Sequence, residues 1–135
     1  KSQAYKSWSG FSFESIAHHH IAEIKNALGI RGVLSRNYYW HSAGEDLEGS
    51  GAQIDILLER ADDVVNIIEC KYHTQPFIID KKYAYELENK QISFQESSNY
   101  MGSIQIVMLT LSGVKRNNYS DEVVSINLDI DALFE

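Results

Sequence analysis

The spacing of the apolar residues changes along the chain, and near its start the spacing is that of a helix. Apolar side chains recur three and four residues apart at Phe13, Ala17, Ile21, Ile24 and Leu28. This spacing predicts an amphipathic helix, and Gly29 is a typical stop signal. We therefore expect one long first helix over residues 11–28.

Three strands are predicted next. Residues 32–41 are rich in β-branched and aromatic types, which is typical of a strand. The acidic, glycine-rich residues 42–51 have no apolar period, and we expect a loop there. Two apolar runs follow, over about 52–60 and 64–72. The short turn between them favours an antiparallel hairpin.

The second half of the chain predicts one more helix and two more strands. Residues 80–97 have a helical pattern, with Asp80 as a candidate N-cap. The remaining predictions are a nearly continuous apolar strand at 103–111, a loop at 112–122, a short strand at 123–128 and a helical turn at 129–134. The order α-β-β-β-α-β predicts an α/β fold with a mixed central sheet flanked by helices.

Length and composition narrow the class of protein. A chain of 135 residues suits one domain, residues 1–135. Cys70 is the single cysteine, so no disulfide can form within the chain, as is typical of the cytoplasm. No apolar run approaches the roughly 20 residues that span a bilayer, so no membrane association is expected. The net charge of −7 argues against a broad nucleic-acid footprint built from lysine and arginine alone.

Charged residues interrupt the two apolar runs of the predicted hairpin. Asp55 lies between isoleucines in the first run, and Glu69 and Lys71 lie in the second. Because strand side chains alternate faces, Glu69 and Lys71 share a face about 6.5 Å apart, and Cys70 points the other way. If Asp55 pairs beside them on the same face, two carboxylates and one ammonium converge.

Two carboxylates held this close repel each other unless a cation lies between them. Mg²⁺ or Mn²⁺ suits such oxygen ligands. A metal ion of this kind lowers the pKa of its bound water and stabilises phosphoryl charge, and a neighbouring lysine can orient that water. The set therefore suits hydrolysis of a phosphodiester. The alternative is an ion pair at a sheet edge, a common arrangement that is worth little.

Asp55, followed 14 residues later by Glu69-Cys70-Lys71 within this element order, resembles the PD-(D/E)XK nuclease superfamily. The chain is most similar to the C-terminal, restriction-endonuclease-like domain of a group of prokaryotic AAA-type ATPases. The similar segments are WSGFSFE, HIAEIKNALGI, GAQIDILLER, NIIECKYH, FIIDKKYAYEL and TLSGVKRNNYS. The resemblance implies that the chain, which starts at Lys1, is a fragment that follows an N-terminal ATPase region.

The resemblance also implies a role for each matching residue. Asp55 and Glu69 match the metal-binding acids, and Lys71 matches the catalytic lysine. Glu14 matches an accessory metal or water contact, and the main-chain carbonyl of Cys70 is the expected further ligand. The implied substrate is DNA, and the implied cofactor is Mg²⁺ or Mn²⁺. Ile54 stands where the superfamily has a proline.

Three further residues are auxiliary candidates. Gln53 shares the predicted face of Asp55, and His73 lies two residues beyond Lys71. Lys82 opens the second helix, which often faces the site in this superfamily; a solvated lysine is the alternative. The competing function is a non-catalytic module that binds DNA or a partner. Residues 38–40 are a candidate dimerisation strand, and a place in the core is the equal alternative.

Overall fold

The computed structural model describes residues 13–42 and 51–133. In chain order the elements are α1 (helical over the described residues 13–18), α2 (Ile21–Ala27), β1 (Ser35–His41), β2 (Gln53–Arg60), β3 (Val64–Lys71), β4 (Phe77–Ile78), α3 (Lys81–Ser98), β5 (Ser103–Thr110), β6 (Val114–Lys115), α4 (Asn118–Val123), β7 (Ile126–Asp129) and a closing 3-10 turn (Ile130–Leu133). No helix in this part of the chain is long and apolar enough to cross a membrane.

Five strands form one mixed sheet in the order β1-β2-β3-β5-β7. β1, β2 and β3 pair antiparallel, whereas β3 with β5 and β5 with β7 pair parallel. The short β4 and β6 pair parallel in a second, two-stranded sheet. The predicted α/β fold with a mixed central sheet flanked by helices is therefore confirmed.

The central strands bury both of their faces. The first core lies on the side of α1 and α2 and contains Phe13, Ala17, Ile24, Ile56, Leu58, Ile68, Val107 and Leu109. The second core lies on the side of α3 and contains Ile54, Leu57, Val65, Ile67, Ala84, Leu87, Phe94, Ile106 and Met108. Glu69 on β3 is consequently a charged residue buried within a packed sheet.

The prediction of one continuous helix over 11–28 is wrong within the described residues. A turn at His19 and His20 separates α1 from α2. The Nδ1 atoms of His19 and His20 bond the carbonyls of Ser15 and Ile16, at 2.8 and 2.7 Å. These carbonyls lie four residues back, so the rings compete with the backbone N–H groups that would continue the helix.

The second half contains more structure than its sequence pattern indicates. The helix and its cap are confirmed, since Asp80 accepts a 2.8 Å hydrogen bond from the N–H of Tyr83. The prediction of a plain loop over 112–122 is wrong, because β6 and most of α4 lie there. Asn117 and Ser120 start α4 with a reciprocal capping box, which stabilises a helix of only six residues.

Candidate active site

A β-bulge lies at the acidic end of β2. Tyr38 pairs with Leu57, and Trp40 pairs with Ile54. Between these two pairs, β2 therefore contains one residue more than β1. The extra residue resets the alternation of side chains, and Ile54 packs in the second core with Leu57. Regular alternation along β2 would place Ile54 and Ile56 on one face, but Ile54 packs in the second core and Ile56 in the first. The bulge falls beside Asp55, at the point where β2 also leaves β3.

At this end of the hairpin, hydrogen bonds to the side chains of Asp55 and Glu69 take the place of main-chain pairing between β2 and β3. Regular pairing of β2 with β3 runs from Glu59 opposite Val65 to Ile56 opposite Ile68. Beyond it, the N–H of Asp55 donates to Oε2 of Glu69 at 3.1 Å, and the N–H of Cys70 donates to Oδ2 of Asp55 at 2.8 Å. The two carboxylates, hereafter the acidic pair, are thus brought together between the splayed strands.

Glu69 is the more buried member of the acidic pair, with 3% of its side chain exposed. Burial, followed by the charge of Asp55, raises the pKa of Glu69 to about 7. The ammonium of Lys90 opposes this rise, since its Nζ lies 2.5 Å from Oε1 of Glu69. The direction shows that one lysine does not offset the burial and the repulsion, so negative charge at the site is under-compensated.

Helix α1 lies beside the acidic pair. Burial and the charge of Asp55 raise the pKa of Glu14, while Lys90 lowers it, so Glu14 lies within electrostatic range of both. One turn later, Nε2 of His18 donates to the main-chain carbonyl of Asp55 at 2.9 Å. This contact ties α1 to β2 at the bulge and brings Glu14 to the same end of the sheet as the acidic pair.

Lys71 lies on the α3 side of β3, as Glu69 does, but its ammonium faces aromatic rings. Its Nζ is 4.9 Å from the ring centre of Tyr83 and 5.7 Å from that of Phe77. Within the described residues Lys71 makes no ion pair with either carboxylate. Its closest partners are therefore cation–π contacts, and the expected convergence of this ammonium on the two carboxylates is not seen.

The ammonium that does contact the acidic pair comes from Lys90, a residue that the sequence analysis missed. The signal was present in the helical period, because Tyr83, Leu87, Lys90 and Phe94 follow one another at spacings of four, three and four. Lys90 therefore lies on the stripe of α3 that faces the sheet. A lysine in a core stripe requires a buried acid as its partner.

Cys70 occupies the opposite face, as predicted, and packs against the first core. Burial, followed by the charge of Asp55, raises the pKa of its thiol, so the sulfur stays protonated and unreactive. The main chain of Cys70 faces β2, as its N–H bond to Asp55 shows. Its carbonyl points the same way, because the N–H and C=O of one strand residue lie on the same side.

Two of the auxiliary candidates lie together and one lies apart. Gln53 and Lys82 both line a cleft of about 550 Å³ between the start of β2 and α3, and Lys90 lines it as well. His73 is exposed: its Nδ1 bonds the carbonyl of Gln75 at 2.8 Å, and its ring packs on Phe77. His73 is thus engaged within its own loop.

The chemistry of the donors fits a hard divalent cation. Asp55, Glu69 and the carbonyl of Cys70 offer oxygen atoms on one side of the splayed hairpin, and Mg²⁺ and Mn²⁺ prefer such ligands. No three His, Cys, Asp or Glu side chains within residues 13–42 and 51–133 form a ready metal-binding cluster. Since Lys90 holds Oε1 of Glu69, binding of a cation requires that this ammonium move away.

The comparisons with known proteins bear on the fold. No protein-family profile matches this sequence, and no curated protein matches it. The chain is similar to a solved structure, that of AF1548, described as a protein of unknown function, with a TM-score of 0.55 and 21% identity. The similarity covers 84% of this chain and 61% of AF1548. The two proteins thus share an α/β fold over a part of AF1548.

Proposed function

We propose that this domain hydrolyses phosphodiester bonds of DNA with the help of Mg²⁺ or Mn²⁺. The observation that carries the proposal is the acidic pair at the splayed end of the hairpin, where Asp55 and Glu69 each accept a main-chain N–H from the other strand. Two acids held this close repel each other, and a cation between them offsets that repulsion, whereas a simple structural ion pair needs one acid only.

Each residue has a role in this proposal. Asp55, Glu69 and the carbonyl of Cys70 would hold the cation, and Glu14 would support it directly or through water. A cation held there would supply a lowered pKa for a bound water and positive charge beside the phosphoryl oxygens. Lys71 orients the attacking water, which requires its flexible side chain to swing from Tyr83 towards the carboxylates. In the absence of substrate, the rings of Tyr83 and Phe77 hold the ammonium of Lys71.

The biological setting is proposed from the sequence resemblance. In it, the domain follows an ATPase region of the same chain in the cytoplasm, and that region is its first partner. Coupling to an ATPase would let nucleotide hydrolysis deliver DNA to the acidic pair. A homo-oligomer formed through residues 38–40 belongs to the same proposal.

The test is cleavage of plasmid, duplex, hairpin and single-stranded DNA with Mg²⁺ or Mn²⁺. We expect a cleavage activity that Asp55→Ala and Lys71→Ala both abolish and that EDTA suppresses. Lys115→Ala, which changes an exposed lysine on β6, is the matched control and should cut normally. Cleavage that persists in Asp55→Ala would come from a contaminant, and the absence of any cleavage would reject a nuclease that works in isolation.

A second candidate function is a non-catalytic module that uses the same fold to bind DNA or a partner. The observation in its favour is the ion pair between Lys90 and Glu69, which satisfies the acid without a metal ion. Calorimetric titration with Mn²⁺ separates the two functions. Binding that Asp55→Ala removes supports the nuclease, and a lack of binding in the unmodified chain supports the module.

A further inference from the structure

Several polar side chains line the cleft between the start of β2 and α3. Its volume of about 550 Å³ lies within the ~300–1,000 Å³ range of small-molecule sites. The polar groups that line it come from Gln53, Lys82, Tyr85, Glu86, Asn89 and Lys90. Five of these six residues belong to α3, so the helix forms most of one wall.

The five α3 residues follow the helical repeat. Lys82, Tyr85, Glu86, Asn89 and Lys90 are spaced three, one, three and one residues apart, which places them on one face. Lys90 lies at the border of this face, next to the stripe of the core residues Ala84, Leu87 and Phe94. The cleft wall is consequently a polar face backed by a rigid helix, and it can hold a ligand without reordering the core.

Tyr85 is the unusual member of this face. Its side chain is 71% exposed, although a ring of this size usually packs against the protein. An exposed ring beside two ammonium groups is a platform on which a nucleobase stacks, and such stacking tolerates any base. The amides of Gln53 and Asn89 supply donors and acceptors for the edge of that base.

The charges favour a single strand over a duplex. Lys82 and Lys90 line the cleft together with Glu86, and Glu69 holds the ammonium of Lys90, so the cleft offers the ammonium of Lys82 to a phosphate. Duplex recognition depends on many phosphate contacts spread over a broad basic surface. A cleft with one available ammonium group and one exposed ring instead suits a short unpaired segment, whose phosphates and bases are both accessible.

The cleft is connected to the acidic pair through Lys90, whose Nζ contacts Glu69 while its side chain lines the cleft. From these observations we infer that the cleft is a binding site for single-stranded DNA, with the base stacked on Tyr85 and a phosphate on Lys82. This inference rests on the proposed function for its choice of nucleic acid. A strand held in the cleft enters the acidic pair from the side of α3.

The test measures binding without cleavage, in an Asp55→Asn background. The probe is a fluorescein-labelled single-stranded DNA of ten nucleotides, compared by anisotropy with a duplex of the same sequence. We expect tighter binding of the single strand, and a loss of roughly tenfold or more in affinity for Tyr85→Ala, as is typical of a stacked base. Tyr85→Phe keeps the ring and should bind normally.

Matched controls lie on α4 and β6. Tyr119→Ala removes another exposed tyrosine, and Lys115→Ala removes another exposed lysine; neither should change the affinity, whereas Lys82→Ala should weaken it severalfold. The inference is overturned if the duplex binds more tightly, if the single strand does not bind, or if Tyr85→Ala and Tyr119→Ala behave alike. If Tyr85-dependent binding is found but the chain with Asp55 intact cuts no DNA, the proposed hydrolysis falls and the binding site stands.

Discussion

The ammonium of Lys90 lies 2.5 Å from a carboxylate oxygen of Glu69, although the two residues belong to different layers of the fold. The carboxylate is 3% exposed and the lysine side chain is 20% exposed. Glu69 therefore has its counter-charge from the helix when no cation is present. The same contact makes Lys90 a direct competitor of any cation that uses this oxygen.

Replacing Lys90 with methionine tests this competition. Methionine keeps most of the length of the side chain but removes the ammonium group, so Oε1 of Glu69 becomes free for a cation. We expect Lys90→Met to bind Mn²⁺ more tightly in calorimetry. Without metal at pH 8, we expect the free energy of unfolding to fall by roughly 1–3 kcal/mol. This is less than the loss for a fully buried pair, because Lys90 is partly exposed.

Lys81→Met is the matched control, since Lys81 lies in the exposed first turn of the same helix. Neither its Mn²⁺ affinity nor its stability should differ from those of the unmodified chain. Saturating Mn²⁺ should restore the stability of Lys90→Met by mass action. Unchanged Mn²⁺ affinity in Lys90→Met would show that the ammonium does not compete with the cation.

Lys71→Met should separate metal binding from catalysis. The ammonium of Lys71 lies on the rings of Tyr83 and Phe77 rather than on a carboxylate. We expect Mn²⁺ affinity within about twofold of the unmodified chain. If Lys71 orients the attacking water, cleavage of DNA should fall by about 10²–10⁴-fold, as is typical for the loss of a positioned proton-transfer group. Full activity in Lys71→Met together with loss of activity in Lys90→Met would assign the role to Lys90.

The raised pKa of Glu69 makes the metal-free protein less stable as the pH rises. The folded state keeps a proton on Glu69 up to a pKa of about 7, whereas the unfolded state releases it near the ordinary value of 4.5. Stability contributed by the neutral acid is therefore full below pH 4.5 and is lost as the pH rises to about 7. The side chain that Glu69→Gln introduces cannot ionise, so the stability of this variant should not fall in this way as the pH rises.

Urea denaturation in EDTA at pH 4.5, 6 and 7.5 measures this effect. We expect the stability of Glu69→Gln, relative to the unmodified chain, to increase across the series by up to a few kcal/mol, at about 1.4 kcal/mol per pKa unit. Glu14→Gln should show the same sign with a smaller amplitude, because Glu14 is less buried. A difference that does not vary with pH would contradict the raised pKa.

Tyr83 has a buried hydroxyl with no hydrogen-bond partner in the part of the chain that the structure describes. Removing it with Tyr83→Phe should leave the free energy of unfolding unchanged or raise it by up to about 1 kcal/mol, because no hydrogen bond is lost. Tyr83→Leu also removes the ring from Phe77 and Lys71 and should cost roughly 1–3 kcal/mol.

Tyr85→Phe is the control for this pair, since it removes an exposed hydroxyl from the same helix. Its stability in urea denaturation should stay within about 0.5 kcal/mol of the unmodified chain. A loss of more than 1 kcal/mol in Tyr83→Phe would mean that its hydroxyl has a partner in solution, such as water or an acid of the site.

Gly102 approaches the hairpin turn so closely that a side chain does not fit. A Cβ atom at Gly102 would lie 2.5 Å from the carbonyl oxygen of Asp63 and would also meet the hydroxyl of Tyr100. That carbonyl accepts the N–H of Ser103 at 3.1 Å, so it cannot move without weakening the start of β5. We expect Gly102→Ala to cost roughly 1–3 kcal/mol in urea denaturation.

Gly32→Ala is the matched substitution, because a Cβ atom there meets nothing within 4 Å. It should change the stability by less than about 0.5 kcal/mol. Equal losses at Gly32 and Gly102 would show that the close approach to Asp63 is not the cause.

The sequence alone predicted the elements whose pattern is local. Period-two alternation placed Glu69 and Lys71 on the face opposite Cys70, and this holds because β3 is regular over its whole length. The helix α3 followed from its spacing and from Asp80, since an N-cap acts within one turn. The α/β class followed from the order of these elements, which depends on nothing beyond the chain itself.

Tertiary structure decided the features that depend on contacts between distant residues. The bulge at Asp55 arises from the register between β1 and β2, which a period measured along β2 does not record. The ammonium on Glu69 comes from Lys90, 21 residues away, and that contact exists because α3 packs across the sheet. The spacing of side chains within a regular element depends on local backbone angles, so the sequence determined which face each residue of β3 and α3 takes. Contacts between charged side chains of different elements depend on how those elements pack. Only the fold therefore decided that Lys90, rather than Lys71, contacts the acidic pair.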